Sequence, residues 1–223
     1  MKINASGKRV IAVGIVMGFA MLLFLGSRIQ EPTQQPRESY FPWRIEVFPD
    51  GSSRVFGITL GKSTLEDVQM LFRDTGDIKL FVSPKGRLAV EIFFDSVNLD
   101  RIRGKFVLGL SPGEKTMDAM LERGIRVKSM GDGARKVTLH PKDLAHIEHM
   151  PITAITYLPS ADLDEEVIMK RFGEPKKRMK EDREGIVHWF YPHLGLDVVL
   201  NSKGKEVFQY VAPREFDRLR TGF

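Results

Sequence analysis

The sequence contains no cysteine among its 223 residues. A chain without thiols has no disulfide, no thiolate metal site, no cysteine nucleophile and no lipidated N-terminal cysteine. It also lacks a strong charge excess, since 34 Lys and Arg face 29 Asp and Glu. Three of the bases precede residue 10, so the remainder carries a net charge of only +2. We therefore expect no nucleic-acid partner, because nucleic-acid-binding domains usually concentrate basic residues on one surface.

Several catalytic motifs are missing as well. The chain has no nucleophile elbow, no phosphate-binding loop, no dinucleotide-binding glycine motif and no HExxH zinc motif. Its 42% content of hydrophobic residues is nevertheless typical of a folded protein with a core. These observations predict a folded protein that is not an enzyme and that carries no cofactor.

One long apolar run is present near the N-terminus. Val10–Ser27 contains 18 residues without a charge and is flanked by Lys8 and Arg9 on one side and Arg28 on the other. At about 1.5 Å per residue a helix of this length covers roughly 27 Å, close to the thickness of a bilayer core. The run therefore predicts a single transmembrane anchor.

The charges around this run predict its orientation. Residues 1–9 carry three bases, so the positive-inside rule keeps them in the cytoplasm and exports the rest of the chain. In a bacterium this corresponds to an inner-membrane protein with a periplasmic main domain. A cleaved signal peptide and a buried helix are the alternatives, but Leu25-Gly26-Ser27 lacks the small-residue pair of a cleavage site.

Two glycines within the apolar run have the spacing of a helix-dimerisation motif. Gly14 and Gly18 are four residues apart, which places them on one face of a helix and allows a second helix to approach closely. Glycine is also common in membrane helices generally. A homodimer through this helix is therefore one prediction, and an ordinary lipid-facing glycine pair is the other.

The rest of the chain is predicted to be a linker followed by two similar α/β modules. Residues 28–39 are rich in proline and glutamine, which is typical of an extended tether. In each of the regions 40–150 and 151–223, an apolar strand, a capped helix and a glycine precede further strands, and the first region adds a helix and a hairpin. The predicted fold class is α+β, with an N-terminal transmembrane helix before two modules of helix packed on antiparallel sheet.

The predicted helices have recognisable start signals. Ser63 or Thr64 is expected to cap the first helix, and Asp162 the helix of the second module. Ser111 and Glu114 have the spacing of a capping box, with proline between them at the first helical position.

The second module contains motifs that resemble a known family. These are Phe172-Gly173-Glu174-Pro175, Val187-His188-Trp189-Phe190-Tyr191, Gly195–Leu200 and Gly204–Val207, and Leu60–Ser63 matches more loosely in the first module. They resemble the SmpA/OmlA, or BamE, family of outer-membrane-assembly lipoproteins, which is similar in turn to the tandem modules of β-lactamase inhibitor protein. The resemblance implies a protein-binding scaffold in the cell envelope. The lipidated cysteine of that family is absent here, so its assembly role is not transferred.

Three histidines form the best candidate for a metal site. His140, His146 and His149 lie within ten residues, and a spacing of three places the last two on one helix face. Neutral imidazole is a ligand for zinc and copper. The alternative is a polar surface connection between two strands that happens to contain histidines.

The strand that contains His188 is the second candidate region. Strand alternation places His188 and Phe190 on one face and Trp189 and Tyr191 on the other. His188 with Asp197 or Glu184 is a possible catalytic pair, and Trp189 with Tyr191 a candidate anchor for a protein partner. The alternative is an aromatic sheet face buried under a helix.

Together, these features predict a membrane-anchored periplasmic binding or scaffolding protein of the bacterial cell envelope that is not an enzyme. Its expected partners are the inner membrane and an envelope protein. The alternative is an exported hydrolase or a metal-binding protein that uses His140, His146 and His149.

Overall fold

The computed structural model describes residues 40–131, 133–181 and 185–221, and this part of the chain is mostly β. The strands are β1 (Glu46–Val47), β2 (Ser53–Val55), β3 (Ile58–Thr59), β4 (Asp77–Val82), β5 (Leu88–Leu99), β6 (Ile102–Leu110), β7 (Arg126–Ser129), β8 (Arg135–Thr138), β9 (Ile152–Pro159), β10 (Lys177–Lys180), β11 (Ile186–Tyr191), β12 (Leu196–Asn201) and β13 (Val207–Val211). The helices are α1 (Leu65–Phe72), α2 (Glu114–Glu122), α3 (Pro141–Ile147), α4 (Glu165–Phe172) and α5 (Asp217–Thr221), with 3₁₀ turns at Pro192–Leu194 and Pro213–Glu215.

Ten of these strands form one continuous antiparallel sheet. Their order is β10-β11-β12-β13-β9-β6-β5-β4-β8-β7, and β1, β2 and β3 form a small second sheet. The pair β6 and β9 joins the two halves of the large sheet, with Gly104 opposite Pro159 at one end and Leu110 opposite Ile152 at the other. Residues 40–150 and residues 151–221 therefore contribute strands to the same sheet.

This pairing corrects the predicted fold class. The α+β prediction of two similar modules of helix packed on antiparallel sheet was wrong, because the described chain is mostly β, one large sheet runs without a break through both regions, and the helices have at most nine residues. The inner edge of each half of the sheet is instead paired with the other half, through β6 and β9. The transmembrane helix of that prediction falls on Val10–Ser27, which lies outside the described residues.

The two ends of helix α1 are determined by residues next to them in the sequence. Thr64 is the N-cap, and its hydroxyl accepts a hydrogen bond from the backbone N–H of Asp67 at 3.2 Å. The Asp67 carboxylate in turn accepts from the Thr64 N–H at 2.8 Å, which completes a capping box. The chain leaves the helix at Arg73 in the left-handed conformation. The prediction of a cap at Ser63 or Thr64 is confirmed, with Thr64 as the cap.

Two other predicted caps were wrong. Helix α2 starts after Gly113 without a side-chain cap, and the Ser111 hydroxyl instead lies 3.1 Å from that of Thr153. Helix α4 is capped by Asp164, whose carboxylate accepts from the Val167 N–H at 2.8 Å. Asp162, the predicted cap, instead forms an ion pair with Lys205 at 3.1 Å.

One face of the large sheet forms the core. Opposed residues of neighbouring strands share a face, so the register aligns a single row across six strands. That row consists of Phe94, Phe106, Tyr157, Phe208, Val198 and Trp189. Phe72 of α1 contacts Phe94 and Phe106 with ring centroids 5.0 and 4.9 Å apart. We call this side the covered face.

Candidate functional site

The opposite side of the large sheet is only partly covered, and we call it the open face. Phe216 and Leu219, from the C-terminal segment that includes α5, form a small cluster with Ala154, Phe190 and Val211. Beyond that cluster the sheet surface reaches solvent, with Phe93 39% exposed on β5 and Met179 37% exposed on β10. The molecule therefore has one sheet face that is buried across its central strands and one with both buried and solvated parts.

A histidine lies between two carboxylates on the open face. Nδ1 of His188 is 2.6 Å from Oδ2 of Asp197, and its Nε2 is 2.9 Å from Oε1 of Glu181. Strands β11 and β12 carry His188 and Asp197, while Glu181 directly follows β10. The His188 ring also stacks on Phe190 at 5.6 Å. Three neighbouring strand segments are thus joined through one imidazole.

Burial determines the electrostatics of this group. The Asp197 side chain is completely buried, and burial raises its pKa to about 6 against the opposing hydrogen bond from His188. Burial also disfavours the charged form of His188, but its hydrogen bonds to Glu181 and Asp197 outweigh that effect and raise its pKa. Oδ1 of Asp197 has no hydrogen-bond partner in the described part of the chain.

This geometry forms a charged bridge between three strand segments. A histidine that faces two ionised carboxylates donates an N–H to each, so its ring is the imidazolium form. In that form neither ring nitrogen has a lone pair with which to accept a proton from a substrate. We call His188, Asp197 and Glu181 the charged bridge, because they link β11, β12 and the end of β10 in a way that depends on pH.

The two aromatic residues predicted as partner anchors lie in the core. Trp189 is 4% exposed and Tyr191 is fully buried, both on the covered face. The Tyr191 hydroxyl donates to the carbonyl oxygen of Gly173 at 2.9 Å, and the Arg178 guanidinium lies 4.7 Å from the Trp189 ring centroid. A partner would have to open the core to reach either side chain.

The three histidines predicted as metal ligands make separate local contacts. His140 caps α3, with its Nδ1 accepting from the Lys142 N–H at 3.2 Å. His146 lies in the last turn of α3, whereas His149 follows the helix and sits 3.4 Å from Glu66. His146 and His149 therefore do not share a helix face. Within residues 40–131, 133–181 and 185–221, no three His, Asp or Glu side chains are grouped to hold a metal ion.

The predicted anchor and its glycine pair cannot be placed on this fold. Val10–Ser27, with Gly14 and Gly18, lies outside the described residues. Among the helices of the described ranges, none is both long and apolar enough to cross a bilayer. The transmembrane anchor and the homodimer contact stay predictions.

Sequence reasoning identified part of the charged bridge but missed one member. It named His188 with Asp197 or Glu184, and Glu184 lies outside the described residues. It did not name Glu181, which reaches His188 only because β10 pairs with β11 and places Met179 opposite His188.

Compared with known proteins, the chain matches no family model, no curated protein and no solved structure. The resemblance to BamE-type lipoproteins therefore stays a prediction from the motifs of the second region.

Proposed function

We propose that this protein is a non-enzymatic binding or scaffolding component of the bacterial cell envelope, anchored in the inner membrane through Val10–Ser27. Its main domain is exported to the periplasm and binds an envelope protein. The anchor rests on the length and flanking charges of the apolar run. The binding role rests on one structural observation, the open face of the ten-stranded sheet.

The exposed part of this face has the composition of a protein interface. Phe93 is 39% exposed, and Val107 lies directly opposite it on β6 with partial exposure. Lys105 and Asp95 form an ion pair at 2.7 Å beside them, and the Lys105 ammonium lies 5.9 Å from the Phe93 ring centroid. An aromatic centre with charged groups around it is typical of protein–protein interfaces.

Site-specific photo-crosslinking in intact cells tests the binding role. A photoreactive phenylalanine analogue at Phe93 should capture an envelope protein, because this position points away from the core. The matched control is the same analogue at Met70, which is 66% exposed on α1. Adducts at Phe93 and none at Met70 are expected. Equal capture at both positions, or none at Phe93, would contradict the proposed surface.

The anchor is tested separately by the intact mass of the membrane-extracted protein. A retained anchor gives the mass of the full chain. A mature chain that starts near Ser27 or Arg28 would show that the apolar run is a cleaved signal.

A further inference from the structure

The open face contains a hollow of about 380 Å³ at the ends of β5, β6 and β9. Its floor is formed by small residues, among them Ala89, Gly109 and Ala154. Val107 and Thr156 lie on one side, and the start of α2 and part of α5 close the others. The volume is within the range of small-molecule sites, which starts at about 300 Å³.

The hollow exists because two adjacent strands carry almost no side chain there. Gly109 and Ala154 are directly opposed in the β6–β9 pair, and Glu91 is opposite Gly109 on the other side. A register shift follows immediately between Gly109 and Leu110. The side chain of Thr153, at this irregularity, donates to the Gly109 carbonyl at 3.2 Å. Such β-bulges commonly redirect side chains next to binding sites.

One carboxylate in the hollow has no partner. The Glu91 carboxylate makes no hydrogen bond or ion pair with any residue of the described ranges, and burial raises its pKa. Lys79 lies opposite it on β4, but the Lys79 ammonium is bonded to Asp77 and to the carbonyl oxygen of Ile78. An unpaired carboxylate that is partly removed from water attracts a cation more strongly than an exposed one.

The other charged groups at the hollow do not neutralise Glu91. Arg218 of α5 forms an ion pair with Glu215 at 2.7 Å, and its second amino group is 3.5 Å from the Ser111 hydroxyl. Glu114, at the start of α2, adds a second carboxylate to the rim. The charged groups that line the hollow are thus Glu91, Glu114 and Arg218, and the arginine is already matched by Glu215.

We propose that this hollow binds a small alkylammonium ligand, with the ammonium group paired to Glu91 and its apolar stem lying over Gly109 and Ala154. The apolar contacts with Val107 and Met117 suit a short hydrocarbon chain. The charge suits a primary amine, because an ammonium donates three hydrogen bonds to carboxylate and hydroxyl oxygens. This site goes beyond the proposed binding of an envelope protein and does not depend on it.

Methyl NMR of the full chain tests the proposal with n-pentylamine as the probe. The Met117 methyl group reports on the hollow, and its signal among the ten methionines is assigned with a Met117→Leu variant. Pentylamine should give a saturable shift of this signal. 1-Pentanol has the same stem without the charge, and pentanoate carries the opposite charge, so each should bind at least tenfold more weakly.

Two variants with matched controls locate the binding groups. Glu91→Gln keeps the shape of the hollow and should weaken pentylamine binding at least tenfold, whereas Asp95→Asn, on the same strand outside the hollow, should not. Gly109→Ala places a methyl group on the floor, 3.2 Å from the Ala154 Cβ, and should abolish the shift. Gly131→Ala has open space around it and should leave binding unchanged.

Three outcomes would overturn the proposal. These are the lack of a saturable shift in the unmodified chain, equal binding of pentylamine and pentanol, and undiminished binding by Glu91→Gln. The methyl spectrum itself shows whether each variant is folded, so a loss of binding through unfolding is recognised directly. Failure here leaves the crosslinking result at Phe93 untouched, which keeps this proposal separate from the proposed function.

Discussion

The two faces of the ten-stranded sheet differ sharply, and two neighbouring residues show it. Phe93 and Phe94 are consecutive in β5, yet Phe94 is 1% exposed and Phe93 is 39% exposed. Strand alternation sends them to opposite sides, and the helices α1 and α4 bring Phe72 and Phe172 only to the side of Phe94. The same residue type is therefore core on one face and surface on the other.

The difference extends to charged groups. His188, Asp197 and Glu91 all lie on the open face, where each is at least partly removed from water. The central row of the covered face is aromatic or aliphatic from Phe94 to Trp189. The covered face thus supplies most of the apolar burial, while the open face carries the partly or fully buried ionisable groups His188, Asp197 and Glu91.

The largest loss of stability is expected when a buried side chain of the covered face is truncated. Phe94→Ala should lower the free energy of unfolding by about 3 to 5 kcal/mol, because it leaves a cavity beside Phe72 and Phe106. Phe93→Ala, the matched control one residue away, should cost less than about 1 kcal/mol. Urea denaturation monitored by circular dichroism measures both. Equal losses would show that the two faces are not distinct in stability.

A smaller effect is expected where α5 covers the open face. Phe216→Ala should cost about 2 kcal/mol, less than a central core residue, because Phe216 packs edge-to-face on Phe190 at the margin of the sheet. Amide exchange in residues 217–221 should become faster. Arg220→Ala, at an exposed position of the same helix, is the control and should leave exchange unchanged.

The charged bridge should make stability depend on pH. The pKa of Asp197 is raised from 3.8 to about 6, and that of His188 is raised above 6.5, so both groups bind protons more tightly in the folded state. The resulting stabilisation is lost as pH rises through the folded-state values. Lowering the pH from about 8 to about 5 should therefore increase the free energy of unfolding by on the order of 1 kcal/mol.

Thermal or urea unfolding across this pH range measures the effect. Asp197→Asn removes one of the two titrating groups and should flatten the profile. A stability that falls on acidification within this window would contradict the assignment of the bridge.

The smallest effect on stability is expected at the proposed docking surface. Phe93→Ser should change the free energy of unfolding by about 0.5 kcal/mol or less, because the side chain is largely solvated. It should nevertheless reduce partner capture by a photoreactive residue at Val107, which lies opposite Phe93 on β6. Crosslinked product per cell is the measurement. If capture is undiminished, Phe93 is not part of the surface that contacts the partner.

Local elements were largely predictable from the sequence. The hairpin of β4 and β5 consists of two apolar runs on either side of a turn at Pro84-Lys85-Gly86, which is a local sequence pattern. Helix α1 was expected from its apolar spacing and its cap at Thr64. Each depends on neighbours within a few residues, whose preferences can be read directly.

The joining of the two halves was not predictable in the same way. Gly104 pairs with Pro159 and Leu110 pairs with Ile152, although the partners are far apart in the sequence. No residue pattern near either pair indicates which strand is its partner. Two similar strand-and-helix patterns therefore suggested two modules, although β6 and β9 complete a single sheet. Strand partners are chosen by burial and hydrogen bonding across the whole fold, not by propensity.

The candidate sites show the same limit. His188 and Asp197 were recognised as a possible pair, but Glu91 looked like any solvated residue of an alternating strand. It becomes distinctive only because Gly109 lies beside it and Ala154 beyond, which opens a hollow at an otherwise flat surface.

The sequence by itself determined which residues of each strand share a face, and it placed the cap and start of α1. The tertiary structure decided which of the two faces α1 and α4 cover, and it therefore assigned Trp189 and Tyr191 to the core and Phe93 to the surface. It also decided which charges meet, as in the bridge of Glu181, His188 and Asp197. The physical reason is that alternation is a property of each strand, whereas burial depends on what packs against it.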